Sequence, residues 1–189
     1  MPNHETNNVV IIGAPENIRR FAAEAFIQPG ATYPNDPEAV NTASIPILNF
    51  DLIVPEPENI ERGGCNGQHE DGVICWYTWH LENWGTKWGA YSHEHYELRW
   101  FERYAAGDEP REVYGRIDLR FETAWSQPTP IFQAIEQRWD VAVHCVTQDE
   151  GGYPDVEYGD PYGEEVIQRI VTMEFDSYER EVDEPAVSS

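Results

Sequence analysis

An alternating stretch at residues 113–125 constrains the fold of this chain more than any other feature. Within it, Ile117, Leu119 and Phe121 share one side, and the charged residues between them share the other. Because strand side chains alternate between two faces, this pattern predicts a strand with one buried and one solvated face. An apolar and aromatic stretch at 96–104 precedes it, separated by a turn that contains Gly and Pro. The two stretches therefore predict an antiparallel hairpin.

Two helices are predicted, one before and one after this hairpin. A β-branched run at 9–13 predicts a buried strand, and Pro15 just after it is typical of the first turn of a helix. This helix carries an apolar stripe at helical spacing, which comprises Ile18, Phe21, Ala22, Ala25 and Phe26. Ser126 is predicted to cap the second helix, whose first turn contains prolines and whose end lies near Trp139.

Further strand predictions complete the order of elements. Residues 47–55 are expected to be extended up to a proline, and 73–81 fit either a helix or a strand. Residues 140–146 alternate, which predicts a strand with Val141, Val143 and Cys145 towards the core, and 166–175 predict a last strand.

Without its loops, the chain reads β-α-β-β-α-β plus one strand. This order predicts an α+β fold of the ferredoxin-like split βαβ type, an antiparallel sheet with two helices on one face and an extra C-terminal strand. The length of 189 residues favours one domain, at 1–175, followed by an acidic flexible tail at 176–189.

Charge and cysteine content limit the partners and the cellular compartment that we expect for the protein. The formal net charge of −23 disfavours direct binding to nucleic acids and anionic membranes and favours a partner with a basic surface. A solubility bias or a salty habitat are the alternative explanations. No apolar run is long enough for a bilayer span, and the first residues lack the pattern of a secretory signal. Three cysteines favour a reducing compartment, and we expect a cytoplasmic protein.

The segment 83–88, Asn-Trp-Gly-Thr-Lys-Trp, contains the only lysine of the chain. A lysine between aromatic residues can form cation–π contacts, or act as a base when it is desolvated. Alternatively, Trp84 and Trp88 are core residues and Lys87 neutralises a buried acid. We favour the packing interpretation, because large aromatic side chains usually serve the core.

Four stretches together, 1–7, 49–55, 82–91 and 121–128, resemble the YubB-type ferredoxin-like domain family, small proteins carried by phages and plasmids. The similarity runs from the N-terminus to about residue 146. Its most specific parts are the Trp-Gly-Thr-Lys-Trp and Thr-Ala-Trp-Ser motifs. The motif residues expected to have structural roles are Asn83, Trp84, Gly85, Thr86, Lys87, Trp88, Thr123 and Trp125.

The resemblance implies a ferredoxin-like shape without an iron–sulfur cluster, and it implies no assigned activity. The family usually has Met where this chain has Glu56, and a bulky polar residue where it has Gly89. Glu56 directly follows the 49–55 stretch, and Gly89 directly follows the Trp-Gly-Thr-Lys-Trp motif. The hairpin turn at 105–110 and the acidic tail are additions to the family pattern, so a partner cannot be carried over directly.

Residue types suggest two possible chemical sites. His4, Lys87 and Tyr91 would form an acid–base cluster if the fold brings them together. We favour the alternative that Asn3, His4 and Asn7 cap and tie the N-terminus, because no nucleophile is identifiable beside them. Four residues, Cys65, His69, Cys75 and His80, have no standard zinc spacing. We therefore expect no metal, no cofactor and no catalytic site.

The acidic clusters carry the leading functional hypothesis. The carboxylates expected to contact a partner are Asp108, Glu109, Asp149, Glu150, Asp155, Glu157, Asp160, Glu164 and Glu165. Such a surface can mimic nucleic-acid phosphates in a basic groove. The sequence thus suggests a non-enzymatic mobile-element protein that inhibits a host defence or nucleic-acid-processing protein, such as a CRISPR effector. The alternative is a small-ligand enzyme or binding protein using His4, Lys87 and Tyr91.

Overall fold

A computed structural model describes residues 3–34, 36–62, 73–104, 110–159 and 178–186. The strands in these ranges are β1 (His4–Gly13), β2 (Phe26–Ile27), β3 (Thr32–Tyr33), β4 (Asp36–Val40), β5 (Ile47–Leu48), β6 (Ile60–Glu61), β7 (Ile74–Cys75), β8 (Tyr91–Tyr104), β9 (Pro110–Ala124), β10 (Val141–Asp149), β11 (Val156–Tyr158) and β12 (Tyr178–Val182). The helices are α1 (Pro15–Glu24), α2 (Phe50–Ile53), α3 (Trp76–Asn83) and α4 (Thr129–Trp139).

Several predictions fall outside the described residues. They concern the strand at 166–175 and the residues Cys65, His69, Asp108, Glu109, Asp160, Glu164 and Glu165.

Six strands form one antiparallel sheet in the order β11-β10-β1-β9-β8-β12. At its centre, Val9 of β1 lies opposite Cys145 of β10 and Leu119 of β9. The predicted hairpin is confirmed, because β8 pairs with β9, although β8 begins earlier than the sequence suggests. The remaining short strands pair as β2-β5, β3-β4 and β6-β7, the last pair being parallel.

Helices α1 and α4 cover one face of the large sheet, and the hydrophobic core lies between them and the sheet. Phe21 of α1 meets Trp139 of α4 edge to face, with ring centroids 5.2 Å apart. The predicted inward residues of β9 and β10 are buried, as the alternation indicates. The apolar faces of the two helices and the alternating apolar residues of the strands thus place the core between the helices and the sheet.

Residues 47–55 are not one extended segment, so that prediction is wrong. Leu48 ends β5, and the next residues form the single helical turn α2. The Asn49 side chain accepts a hydrogen bond from the backbone N–H of Asp51 at 2.8 Å and so caps this turn. Phe50 and Ile53, three residues apart, are both buried on it. Local capping and helical spacing therefore outweigh the β-branched composition.

The described ranges contain two further helices besides the two that the sequence predicts. The ambiguous stretch at 73–81 divides into β7 and the helix α3, and α2 adds a fourth helix within the described ranges. The predicted Ser126 cap is wrong as well. Pro128 holds the N-cap position of α4, without a side-chain hydrogen bond, while the Ser126 hydroxyl donates to the carbonyl of Gly85.

Part of the segment predicted as a flexible tail belongs to the sheet. Strand β12 pairs with β8, with Val182 opposite Trp100. Just beyond it, Arg19 of α1 donates from Nε to Glu184 at 2.9 Å and contacts the Trp100 ring. Backbone pairing and this ion pair fix the position of a segment that its charged composition predicts to be flexible.

The low cysteine count does not support a reducing compartment. Cys75 is disulfide-bonded, so a low cysteine count did not exclude a disulfide, whereas Cys145 is a buried free thiol. Burial raises the pKa of the Cys145 thiol to about 12. None of the helices in the described ranges combines the length and apolar character that crossing a bilayer requires.

Candidate functional site

The turn that follows α3 is built by the most specific sequence motif. Trp84 is buried, and its indole N–H donates to the carbonyl of Val54 at 2.9 Å. Gly85 has a φ of +76°, and a Cβ there would lie 2.6 Å from Pro130 Cδ. Thr86 is buried and donates to the Trp88 carbonyl at 2.6 Å. Only glycine meets both demands at Gly85, so this part of the motif shapes the turn.

Lys87 lies between two tryptophan rings. Its Nζ is 4.7 Å from the ring centroids of both Trp88 and Trp125. The expectation that Trp88 is a core residue is wrong, because it is 37% exposed, and Trp125 is 41% exposed. The lysine is held by cation–π contacts at the surface, and no buried acid is needed to explain it.

Trp125 has an unusual backbone conformation for a bulky residue. Its φ is +78°, in the left-handed region that large side chains avoid. Its N–H donates to the carbonyl of Asn3 at 3.0 Å, and its ring meets Tyr77 edge to face at 5.9 Å. These contacts fix the ring in place over Lys87. Strained residues of this kind cluster at functional sites.

His4 and Tyr91 meet at the end of the sheet beside this sandwich. His4 is the first residue of β1, not a residue before the strand as the sequence suggested. Its Nδ1 lies 2.7 Å from the Tyr91 hydroxyl and 3.8 Å from the Glu122 carboxylate. The Tyr91 ring meets Trp88 at 6.3 Å, so Lys87 joins the group only through a tryptophan.

Carboxylates lie close to this pair, and they contribute to a raised pKa of Tyr91. Glu5 and Asp149 are directly opposite each other on β1 and β10. Burial, and then the hydrogen bond with Asp149, raise the pKa of Glu5 to about 7. Burial, followed by the charges of Glu122 and Glu150, raises the pKa of Tyr91 to about 12. The tyrosine is therefore a hydrogen-bonding group at neutral pH, and not a base.

A buried polar network lies beneath the cluster. Asn7 is fully buried in β1, where its Nδ2 donates to Thr123 at 2.9 Å and its Oδ1 accepts from Thr147 at 2.8 Å. The Thr123 hydroxyl in turn donates to the Ser126 carbonyl at 2.8 Å. Asn7 thus links three strands internally and does not cap the N-terminus, which corrects one of the two interpretations above. Asn3 does tie the N-terminal end down, through Asp149 and Trp125.

The described members of the predicted partner-binding set lie on the β10 side of the sheet. Asp149 is half-buried at the end of β10, and Glu150, Asp155 and Glu157 are exposed around β11. We call these four residues the acidic edge. The carboxylates of Glu150, Asp155 and Glu157 face solvent next to an outer strand, as a surface for a large partner requires.

A cavity of about 330 Å³ lies on the other side of the Trp84 turn. Its lining includes Tyr33 and Trp84, and Glu56 and His80 form a hydrogen-bonded pair in it. The side chains of Glu56 and His80 are 7% and 6% exposed, respectively, and His80 Nε2 lies 2.5 Å from Glu56 Oε1. We call this the aromatic cavity.

Both ring nitrogens of His80 are occupied. Nδ1 lies 2.8 Å from the carbonyl oxygen of Lys87, and Nε2 faces Glu56. The ring stacks on Trp84 with centroids 4.0 Å apart, and Trp76 and Trp79 approach it edge-on. Because Cys75 is disulfide-bonded and His80 is engaged in this way, neither is available to a zinc ion. The described ranges contain no group of three or more metal-binding side chains.

Sequence reasoning missed the pairing of Glu56 with His80. Two signals pointed towards it. His80 stood out as a possible metal ligand, and Glu56 stood out as a departure from the family pattern. Nothing in the local sequence connects them, because 24 positions separate the two side chains.

One family comparison gives a match. The family model of the ferredoxin-like domain in Api92-like protein matches residues 96–186, just under half of the chain. No curated protein and no solved structure matches this chain. The antiparallel sheet and its covering helices define an α+β protein, and residues 96–186 are similar to that ferredoxin-like domain. The matched range begins in β8, and it overlaps the resemblance described above over 96–146 only.

Proposed function

We propose that this protein binds a partner with a basic surface through its surplus carboxylates. Seven arginines of the described ranges form ion pairs with Asp or Glu. Each pair cancels a positive charge locally, so the net charge of −23 is expressed by the remaining carboxylates. Exposure of the acidic edge beside an outer strand is the observation that carries the proposal.

The finer form of the proposal concerns the setting and the partner. The YubB-type resemblance suggests a phage or plasmid protein, and closely spaced carboxylates resemble the phosphates of a nucleic acid. The partner would then be a host defence or nucleic-acid-processing protein, such as a CRISPR effector, inhibited through its nucleic-acid groove. This part rests on analogy with a family and on charge.

The finer fold assignment belongs to the same proposal. Four neighbouring strands have the order β10-β1-β9-β8, with α1 after β1 and α4 between β9 and β10. This order supports a split βαβ core. Strands β11 and β12 extend it at the two edges, and the acidic edge lies on the first of these extensions.

A capture experiment with matched variants tests the binding function. Tagged protein is incubated with host lysate, and captured proteins are identified by mass spectrometry, with and without competing double-stranded DNA. One variant combines Glu150→Lys, Asp155→Lys and Glu157→Lys in the acidic edge. The control combines Glu38→Lys and Glu58→Lys with Asp183→Lys, three exposed carboxylates elsewhere.

Both variants change the net charge equally, so location is the only variable. We expect a nucleic-acid-binding protein to be captured by the wild type and the control, lost with the acidic-edge variant and displaced by DNA. If both variants lost capture equally, net charge alone would explain the binding, and the proposal would be wrong.

The hydrogen bond between His4 and Tyr91 favours a second candidate, a small-ligand enzyme or binding protein at the sheet end. His4 is partly exposed there, and Trp88 connects Tyr91 to Lys87. A panel of small acids and amines, titrated while the His4 ring resonances are followed by NMR, tests this. Shifts at His4 without shifts at the exposed His95 favour the candidate, and equal shifts at both contradict it.

A further inference from the structure

The aromatic cavity contains a fixed carboxylate that the functions considered above do not use. Glu56 Oε1 is held by His80, and the second oxygen, Oε2, is contacted by Arg62. The Glu56 side chain is 7% exposed, whereas that of Arg62 is 65% exposed. One oxygen of this nearly buried carboxylate thus contacts the buried His80, and the other contacts the exposed Arg62.

The two oxygens of Glu56 have different partners. One ring nitrogen of His80 faces Glu56 Oε1, and the other faces the carbonyl of Lys87. The guanidinium of Arg62 donates to Oε2, as in a charge-assisted pair of an arginine with a carboxylate. Oε2 is thus a position that already accepts a hydrogen bond from a cationic group.

The walls of the cavity suit a cation with an apolar body. Tyr33, Trp84 and Trp88 are among its lining residues, and aromatic rings attract positive charge. A volume of about 330 Å³ is at the small end of the range for ligand sites, so the ligand is limited to one ring or a short chain. The negative net charge raises the local concentration of cations further.

We propose that the aromatic cavity binds a small organic cation that carries an ammonium or guanidinium group on an apolar body. Glu56 anchors the charged group, and His80 positions Glu56. Arg62 occupies the cation position in the free protein and is displaced on binding. The site is separate from the acidic edge, and its test below uses no protein partner.

Calorimetric titration of the full chain with benzylammonium tests the proposal, with benzyl alcohol as the neutral probe of the same shape. We expect benzylammonium to bind and benzyl alcohol to bind at least about tenfold more weakly, as loss of a charge-assisted hydrogen bond implies. Glu56→Gln should weaken benzylammonium binding by a similar factor, and the exposed neighbour Glu58→Gln should leave it unchanged.

Arg62→Ala keeps the test decisive if Glu56→Gln fails to fold. Because Arg62 competes for the same carboxylate, its removal should tighten benzylammonium binding by several fold. Three results overturn the proposal: no binding of benzylammonium, equal binding of benzyl alcohol, or an Arg62→Ala variant that binds no more tightly than the wild type.

Discussion

Individual side chains in this protein acquire their roles from distant partners. The sequence identified Lys87 as a singular residue, but its second ring, Trp125, comes from the far end of β9. Similarly, the titration of Glu5 depends on Asp149, which the sheet register places opposite it. Residue types and local spacing predict neither pair. Strand pairing creates the contact of Glu5 with Asp149, and the fold brings the turn that contains Lys87 to the end of β9.

The Glu5 carboxyl should make stability depend on pH. Its pKa is raised from 4.5 to about 7 in the folded protein, so the stabilisation is present below pH 4.5 and is lost as pH rises to about 7. Glu5→Gln should remove this loss, which is of the order of 1–3 kcal/mol in the free energy of unfolding. Urea denaturation across this pH range measures it, with the exposed Glu38→Gln as control. Parallel pH curves for wild type and Glu5→Gln would show that the carboxyl is not responsible.

Replacing Lys87 should weaken the turn between α3 and β8. Lys87→Met removes the charge between Trp88 and Trp125 and should cost about 1–2 kcal/mol, as expected for a cation between two rings. Lys87→Arg keeps a cation there and should recover most of the loss. Thermal unfolding followed by tryptophan fluorescence measures both. An arginine variant as unstable as the methionine variant would argue against a cation–π role.

At the scale of elements, long periodic segments were predictable and short ones were not. The elements α1, α4, β9 and β10 repeat their pattern over enough residues to exclude the alternative. The single turn α2 offers only one helical spacing, so β-branched composition suggested an extended segment there. Strand β12 is mostly charged, and only its pairing with β8 reveals it.

The cap of α2 is the local feature that decides this element. Asn49→Ala should cost about 1 kcal/mol, because it removes the acceptor for the Asp51 N–H. Asn49→Ser retains a capping oxygen and should cost much less. Chemical denaturation of the two variants measures the difference. If both variants lose the same stability, a role for Asn49 other than capping must explain the loss.

At the scale of the whole molecule, the sequence gives the net charge directly but does not show which charged side chains pair with each other. The net charge of −23 follows from composition alone, whereas the arginine–carboxylate pairing follows only from the fold. The location of the exposed carboxylates in the described ranges, the acidic edge above all, turns a compositional property into a binding hypothesis.

A salty habitat makes a different prediction from partner binding. If self-repulsion dominates, added salt should raise the thermal midpoint of the wild type, and the acidic-edge and control variants should both reduce that gain equally. If the acidic edge serves a partner, the two variants should differ in binding and not in their response to salt. Differential scanning fluorimetry at low and high ionic strength makes this comparison.

The salt dependence of affinity for the captured partner tests the central claim most directly. The Kd of the wild type, the acidic-edge variant and the control variant is measured as the screening length falls from about 30 Å at 0.01 M salt to about 3 Å at 1 M. We expect the wild type and the control to lose affinity steeply with salt, and the acidic-edge variant to bind weakly with a much smaller slope. A salt-independent Kd, or the same slope in both variants, would contradict the account.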